Sequence, residues 1–367
     1  NQERDSDVTD HLKDGNRDKN DLGHGKGYIY PHAYRDHWVA QQYLPSSLQG
    51  KMFYEPSEVG YEKGIKENVL RNRELQLASA QEGWQDNFIT SANAPGLRNN
   101  WLNRALGQTT EILRNVREEI FNFAQVNRET LLLDLTGGTG FLTWEAIRRC
   151  FAGGVWTRCE NANQVQAMNE WSKHLALLNR PELFVSPVQN LNEYFSDLKE
   201  KPLFDIIIGL DILSGIEINQ FLKVLKNRLT ENGKIILAEK NPVSSQYLSE
   251  TLNPEHLGKE LHKKLLEMEH ELRNGKASTL SDFAKKGNLI QKDITVKRHF
   301  TLSQVQKWFE VDSSKIADSI FSVVKNKLPE NEYIRFKAIT MDTLGGRDIN
   351  WKQSYEFLII KSKDSIP

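Results

Sequence analysis

The stretch Leu131-Leu132-Leu133-Asp134-Leu135-Thr136-Gly137-Gly138-Thr139-Gly140 decides how this chain folds. Its apolar run is typical of a buried strand in a parallel sheet, covered on both faces. The glycines allow a tight turn and a close approach of the backbone to a ligand. Residues 141–149 follow with helical spacing. A strand, a glycine-rich turn and a helix in this order predict a nucleotide-type ligand site built on backbone N–H groups.

Two familiar nucleotide sites do not fit this turn. A P-loop needs Lys-Ser/Thr after its last glycine, but the chain has Phe141-Leu142 there. A dinucleotide site needs a third glycine three residues after Gly140, and Thr143 occupies that place. A glycine-rich turn alone also occurs in ordinary strand-to-helix connections, so the interpretation depends on the later segments.

These residues resemble motif I of the class I S-adenosylmethionine-dependent methyltransferases, with Thr136 in place of the usual first glycine. The resemblance implies that S-adenosylmethionine is the cofactor and that Asp134, Thr136, Gly138 and Gly140 form part of its site. It also implies a Rossmann-like α/β fold with a seven-stranded, mainly parallel sheet, an antiparallel last strand and a helical insertion at about residues 242–330.

Apolar segments elsewhere supply the remaining strands. We predict strands two to five at Gly154–Glu160, Leu183–Ser186, Phe204–Asp211 and Asn232–Lys240, and strands six and seven at Ile334–Met341 and Tyr355–Ile360. Helical spacing predicts helices at 63–77, 101–126, 164–178 and 216–229, and at 257–272 and 302–309 within the insertion.

The resemblance assigns the rest of the cofactor site. Glu160 ends the second strand, where the family's acid binds the two ribose hydroxyls; the alternative is a solvated glutamate at a strand end. In many relatives an Asp after the third strand holds the adenine amino group. Here Pro187 occupies that position, which leaves the Val188 N–H and Gln189 to meet the base.

Methyl transfer is an in-line displacement in which the enzyme mainly aligns the reactants, although a neutral nucleophile also needs a base. Asp211, at the end of the fourth strand, is the candidate catalytic residue; the alternative is an N-cap or turn carboxylate. The chain has neither the Asn-Pro-Pro-aromatic run of amino-methylating nucleic-acid enzymes nor a Pro-Cys nucleophile at this position. The methyl acceptor therefore stays unidentified.

The N-terminal region carries a second resemblance. Residues 22–32, Gln41–Pro45 and Phe53–Glu62 are similar to the C-terminal end of the MgsA/RarA-type replication-associated recombination AAA+ ATPases. The resemblance implies a homo-oligomeric assembly segment, with DNA or replication proteins as partners. Because the chain begins at Asn1 and contains no Walker A sequence, we expect a fragment whose ATPase lies upstream.

We therefore expect an assembly segment at residues 1–65 with the first 22 or so disordered, a linker and possible lid at 66–100, and a methyltransferase-like domain at 101–365. The aromatic-rich stretch 28–62 should pack by its rings.

Composition limits the broader class. The 367 residues carry a net charge of −1, so no global field favours nucleic acid or a membrane. There are two cysteines without metal spacing, which excludes a disulfide scaffold and fits the cytoplasm. His24, His32 and His37 are expected to be packing or surface residues, and we predict no metal site.

Two functions remain open: a methyltransferase, or a non-catalytic interaction or assembly module that kept the fold. Thr136 and Pro187 favour the module slightly, whereas Gly138, Gly140 and Glu160 favour the enzyme.

Overall fold

The structure, a computed structural model, describes residues 53–54, 56–57, 59–80, 102–173, 175–274, 280, 283, 288–300, 302–310 and 320–364. Its helices are α1 (Gly60–Ala80), α2 (Leu102–Ala124), α3 (Thr143–Arg149), α4 (Ala162–Ser172), α5 (Leu191–Asp197), α6 (Ile218–Lys226), α7 (Leu248–Thr251), α8 (Pro254–Leu257), α9 (Lys259–Asn274), α10 (Leu302–Glu310), α11 (Ile320–Lys327) and α12 (Glu330–Leu344). Its strands are β1 (Leu131–Asp134), β2 (Gly154–Cys159), β3 (Glu182–Val185), β4 (Phe204–Leu210), β5 (Leu229–Asn241), β6 (Leu289–Phe300) and β7 (Arg347–Lys361). The predictions for residues 1–52, and for the part of the linker and lid at 81–100, lie outside the described residues.

The seven strands form one sheet in the order β3-β2-β1-β4-β5-β7-β6. Strand β1 is central and pairs in parallel with β2 and β4; β2 pairs in parallel with β3, and β4 with β5. Strand β7 runs antiparallel to β5. This arrangement confirms the predicted class I methyltransferase fold, with β1 carrying the glycine-rich turn.

The centre of the sheet is apolar because its strands are covered on both faces. Leu132 and Leu133 of β1 are fully buried, as are Ile207 and Ile208 of β4 beside them. The near-continuous apolar runs of the two strands match this double burial, since neither face needs polar residues. The register therefore brings the carboxyl ends of β1 and β4 to the same edge of the sheet.

The prediction for the sixth strand was wrong. Residues 334–341 lie in helix α12, where Phe336, Thr340 and Leu344 are buried at a spacing of four and Ile334 is 59% exposed. That spacing follows the helical period, and the short alternation at 334 and 336 imitated a strand. The sixth strand is β6, inside the segment predicted to be mostly helical. Its buried residues alternate at 294, 296, 298 and 300, but one of them, Arg298, is charged, and the charged Lys297 stands between two of them.

The chain divides into two compact units. We call residues 113–244, 277–294 and 353–367 the sheet unit, and residues 1–112, 245–276 and 295–352 the helical unit. The sheet unit contains β1 to β5 and packs around residues such as Leu133, Ile207 and Leu237. The helical unit has its own apolar core, which includes Leu265, Phe321 and Trp351. Every predicted site residue belongs to the sheet unit.

None of the helices in the described residues is both long and apolar enough to cross a membrane.

Candidate functional site

The glycine-rich turn is anchored by Asp134, the last residue of β1. One of its carboxylate oxygens accepts the Thr136 N–H at 2.8 Å, and the other accepts the Thr143 hydroxyl at 2.7 Å. The Thr143 oxygen lies 3.0 Å from the hydroxyl of Thr157 on β2. Burial raises the pKa of Asp134, and the hydrogen bonds from Thr143 and Thr136 oppose the rise. Asp134 is fully buried, so its side chain anchors the turn.

Two glycines in the turn are required by its backbone path. Gly137 has φ +59°, and a Cβ there would lie 1.9 Å from the carbonyl oxygen of Arg158. Gly140 has φ +78°, and a Cβ would lie 2.4 Å from the indole nitrogen of Trp144. The turn therefore passes closer to β2 and to helix α3 than any side chain would permit. Gly138, between them, also has a positive φ, +67°.

Thr136 stands where the family has its first glycine, and the structure gives it a role. Its hydroxyl oxygen accepts the Leu210 N–H at 3.0 Å, which joins the turn to the end of β4. The backbone φ of Thr136 is not positive, so the conformation at this position does not require glycine. The departure from the family pattern is therefore compatible with the same turn.

The Thr136 contact can be tested by comparing two substitutions. Thr136→Val keeps the shape but leaves the Leu210 N–H without its acceptor, which should lower the free energy of unfolding by about 1–3 kcal/mol. Thr136→Ser keeps the acceptor and should change stability by less than about 0.5 kcal/mol. Urea unfolding measures both, and equal losses in the two variants would show that the hydroxyl acceptor for the Leu210 N–H does not account for the loss.

The turn also offers polar groups that the protein itself does not use. Within the described part of the chain, the amides of Gly137, Gly138 and Thr139 donate to no other residue. The Thr139 hydroxyl is buried, and it too has no hydrogen-bond partner among those residues. The Thr139 carbonyl, by contrast, accepts the Trp144 indole N–H at 2.9 Å. Free donors at the carboxyl end of β1 fit the polar groups of an adenosyl cofactor.

Glu160 directly follows β2, which ends one residue earlier than predicted, at Cys159. Its side chain is 63% exposed, and its only ion pair in the described residues is with Arg158, at 3.4 Å. Its own amide donates to the Gln164 side chain at 2.8 Å, so the backbone position is fixed while the carboxylate faces water. Such a carboxylate can accept the two hydroxyls of a ribose.

The residues predicted to meet the base follow β3. Ser186 is buried, and its N–H donates to the Cys159 carbonyl at 3.1 Å. Pro187 then starts a short 3₁₀ turn, Val188–Asn190. The Val188 side chain lies in the core of the sheet unit, whereas Gln189 is exposed. Of the two residues predicted to meet the base, only Gln189 can therefore present its side chain to a ligand.

Asp211 lies at the end of β4, in a turn, with φ +49°. Its carboxylate accepts the Lys240 N–H at 2.9 Å. The N-cap half of the alternative was wrong, because Glu217 caps helix α6, whereas Asp211 does lie in a turn as a hydrogen-bonded carboxylate. The residue as a whole is exposed, but its carboxyl group lies against β5; desolvation of this group raises its pKa, and the charge of Lys240 opposes the rise.

Two further carboxyl groups lie at this end of the sheet, and the sequence analysis missed them. Glu239 on β5 accepts the amides of Ile212 and Leu213 at 2.8 and 3.0 Å. Glu356 on β7 is its direct cross-strand neighbour. Burial, then the charge of Asp211, raises the pKa of Glu239 to about 8, and the charge of Glu356 contributes. The available signal was a glutamate within each of two apolar strands, but the 117 residues that separate Glu239 from Glu356 in the sequence conceal their pairing.

Glu356 is itself incompletely satisfied. One of its oxygens accepts the Asn241 side-chain amide at 2.8 Å, while the other is buried without a hydrogen-bond partner among the described residues. We call Asp211, Glu239 and Glu356 the carboxyl cluster. In the described part of the chain no group of His, Cys, Asp or Glu is arranged to hold a metal ion.

Comparison with known proteins identifies the N-terminal segment. The family model of the MgsA AAA+ ATPase C terminal matches residues 1–73. Replication-associated recombination protein A of Bacillus subtilis (strain 168) is 44% identical over 63 residues, which are 17% of this chain and 15% of that protein. The chain thus corresponds to about one-seventh of the length of this relative, and the predicted N-terminal resemblance is confirmed for that piece.

The solved structures that are similar to this chain include methyltransferases. Coclaurine N-methyltransferase, bound to N-methylheliamine and SAH, aligns with a TM-score of 0.38 and 14% identity over 84% of this chain and 88% of that one. A candidate methyltransferase from Bacillus halodurans C-125 aligns with a TM-score of 0.40 and 13% identity over 68% of this chain and 100% of that one. The fold assignment rests on the strand order and directions of this chain. The chain therefore combines an N-terminal segment similar to the C-terminal region of MgsA-type AAA+ ATPases with a class I methyltransferase fold.

Proposed function

We propose that the sheet unit binds S-adenosylmethionine and transfers its methyl group to a nucleophile. The observation that carries the proposal is the turn at residues 136–140, whose unused amides lie at the carboxyl end of β1. The exposed carboxylate of Glu160 directly follows the neighbouring strand, β2. Amide donors and a carboxylate at the ends of adjacent parallel strands suit the polar tail and the ribose of an adenosyl ligand.

In this proposal each site residue has a separate task. The amides of Gly138 and Thr139 bind the polar tail of the cofactor, Glu160 accepts the ribose hydroxyls, and the Val188 N–H and Gln189 meet the base. Asp134, Thr136 and Gly140 keep the turn in its binding shape. The bound cofactor supplies an electrophilic methyl group on sulfur, so the protein mainly has to align the acceptor and exclude water.

We assign proton transfer to the carboxyl cluster, at the end of β4 and β5. Asp211 and Glu239 both have raised pKa values, and the charge of Asp211 raises that of Glu239. Such a coupled pair retains a proton near neutral pH while its other member is ionised. The ionised member can accept a proton from a neutral nitrogen or oxygen nucleophile. Asp211 is thus the catalytic candidate from sequence, with Glu239 as its coupled partner.

For the N-terminal segment we propose a role in assembly. Its similarity to the MgsA C-terminal region suggests a homo-oligomer, a AAA+ ATPase elsewhere in the same protein, and DNA or replication proteins as partners in the cytoplasm. A methyltransferase in such a protein would act within that assembly.

Calorimetric titration with S-adenosylmethionine and S-adenosylhomocysteine tests the proposal. The parent protein should bind both, and Glu160→Gln should weaken binding about ten- to a hundredfold, because charge-assisted hydrogen bonds contribute about 1.5–3 kcal/mol. Glu170→Gln is the control, since it makes the same change in an exposed glutamate of α4 that pairs with Lys173 at 2.6 Å. Absence of binding by the parent at millimolar concentration would favour the non-catalytic module.

A further inference from the structure

Arg158 is a buried arginine in the middle of the candidate cofactor site. Its side chain is 2% exposed on β2, two residues before Glu160. The guanidinium donates to the Leu135 carbonyl at 2.7 Å through Nε and to the Ser186 carbonyl at 3.0 Å through Nη1. Nη2 donates to the Glu160 carboxylate at 3.4 Å. One side chain thus reaches the loops that follow β1, β2 and β3.

These contacts differ in rigidity. Leu135 and Ser186 are buried, and their carbonyls are fixed by the strands, so two hydrogen bonds hold the guanidinium plane in place. Glu160 is mostly exposed, and an exposed glutamate alone samples several rotamers. The rigid partner in this pair is therefore the cation. A fixed guanidinium restricts where the carboxylate can lie because its N–H groups point in set directions.

The charge of Arg158 also needs an explanation. Burying a guanidinium is costly unless it is paired and hydrogen-bonded. Carbonyl oxygens satisfy its N–H groups but do not neutralise it. Two carboxylates do so, Asp134 and Glu160. The charge of Arg158 lowers the pKa of Asp134, although burial raises this pKa by more. Arg158 thus links the anchor of the turn electrostatically to the carboxylate proposed for the ribose.

From this geometry we propose that Arg158 is a positioning residue for cofactor binding: it orients Glu160 toward the ribose hydroxyls and keeps the loops after β1 and β3 at the matching separation. The inference rests on the proposed function, since it acts through the ribose contact. An arginine that only held the strands together would affect every part of the ligand equally. A residue that acts through Glu160 should affect the hydroxyl contacts selectively.

The test measures calorimetric affinity for S-adenosylhomocysteine and for its 2′-deoxy and 3′-deoxy analogues. Arg158→Gln should weaken binding of S-adenosylhomocysteine about five- to thirtyfold, but that of the deoxy analogues less than about threefold. In a Glu160→Gln background the same substitution should cost less than about twofold, because the group it orients is already altered. Arg158→Lys, which keeps the charge without the planar fork, should fall between the parent and Arg158→Gln and serves if the glutamine variant does not fold.

Arg180→Gln is the matched control. Arg180 also donates to two backbone carbonyls, those of Leu175 and Lys173, but in the loop before β3. The Arg180→Gln substitution should leave the affinities for S-adenosylhomocysteine and its two deoxy analogues unchanged. Equal losses for all three ligands in the Arg158 variants, or additive effects with Glu160→Gln, would overturn the positioning role while leaving the proposed function intact. Failure of the parent to bind S-adenosylhomocysteine would overturn both.

Discussion

A Gly137→Ala variant is expected to lose measurable cofactor binding and much of the stability of the sheet unit. The added Cβ would lie 1.9 Å from the Arg158 carbonyl oxygen, at a residue whose φ is +59°. The left-handed conformation costs a non-glycine residue about 1–2 kcal/mol, and forcing atoms into a packed region adds about 1–3 kcal/mol. We therefore expect the free energy of unfolding to fall by about 2–5 kcal/mol.

The affinity for the cofactor should fall by more than the loss in the free energy of unfolding alone would suggest. To relieve the contact, the turn must move away from β2, and this displaces the amides of Gly138 and Thr139 that the proposal assigns to the cofactor. Affinity for S-adenosylhomocysteine should fall about a hundredfold or more, because several hydrogen bonds are lost together. Urea unfolding and calorimetry measure the two effects separately.

Gly215→Ala is the matched control for the strained backbone. Gly215 has φ +72°, but a Cβ there would meet no atom within 4 Å. This substitution should therefore show only the conformational cost, about 1–2 kcal/mol, and leave cofactor affinity unchanged. If Gly137→Ala behaves like Gly215→Ala in both measurements, the close approach of the turn to β2 does not control the site.

The central strands of the sheet and the turn after β1 could be predicted from the sequence because the sequence patterns that indicate them are local. β1 and β4 are unbroken apolar runs, and the glycines of the turn follow β1 directly. Local patterns failed where charged residues stood in a strand, as in β6, and where a short alternation lay in a helix, as at Ile334 and Phe336. In both places the burial imposed by neighbouring elements decided the structure, and a single-sequence pattern does not contain it.

The site itself was predictable only in part, for a similar reason. Gly138, Gly140 and Glu160 follow strands and match a known motif, so their placement could be read from order along the chain. The role of Thr136 depends on the Leu210 amide, which is 74 residues away. The pairing of Glu239 with Glu356 depends on the antiparallel register of β5 and β7. Contacts made by pairing across the sheet have no signature in either segment alone.

The carboxyl cluster gives the second large expected effect, a change in how stability depends on pH. The pKa of Glu239 rises from an ordinary value of 4.5 to about 8, first because of burial and then because of the charge of Asp211. Between these two values the folded state keeps a proton that the unfolded state has released. The free energy of unfolding must therefore fall as pH rises through this window.

Glu239→Gln should remove most of that decline. The glutamine oxygen can still accept the amides of Ile212 and Leu213, so the hydrogen bonds are retained while the ionisation is lost. Near pH 5 the variant and the parent should be similarly stable, since Glu239 is protonated in the folded parent. At pH 8.5 the variant should be more stable by roughly 2–4 kcal/mol; this range is below the full value of the shift because the side chain is partly accessible to water.

Urea unfolding at several pH values between 5 and 8.5 measures this difference directly. Glu231→Gln is the matched control because it changes an exposed glutamate of the same strand, which lies 3.4 Å from Lys363. Glu231→Gln should follow the parent at every pH. Titrating groups other than Asp211, which is coupled to Glu239, cancel when the variants are compared with the parent. Parallel curves for the parent and Glu239→Gln would mean that Glu239 is ionised across the whole range. The carboxyl cluster would then hold no proton near neutral pH, and the assignment of Glu239 as the coupled partner of Asp211 would fail.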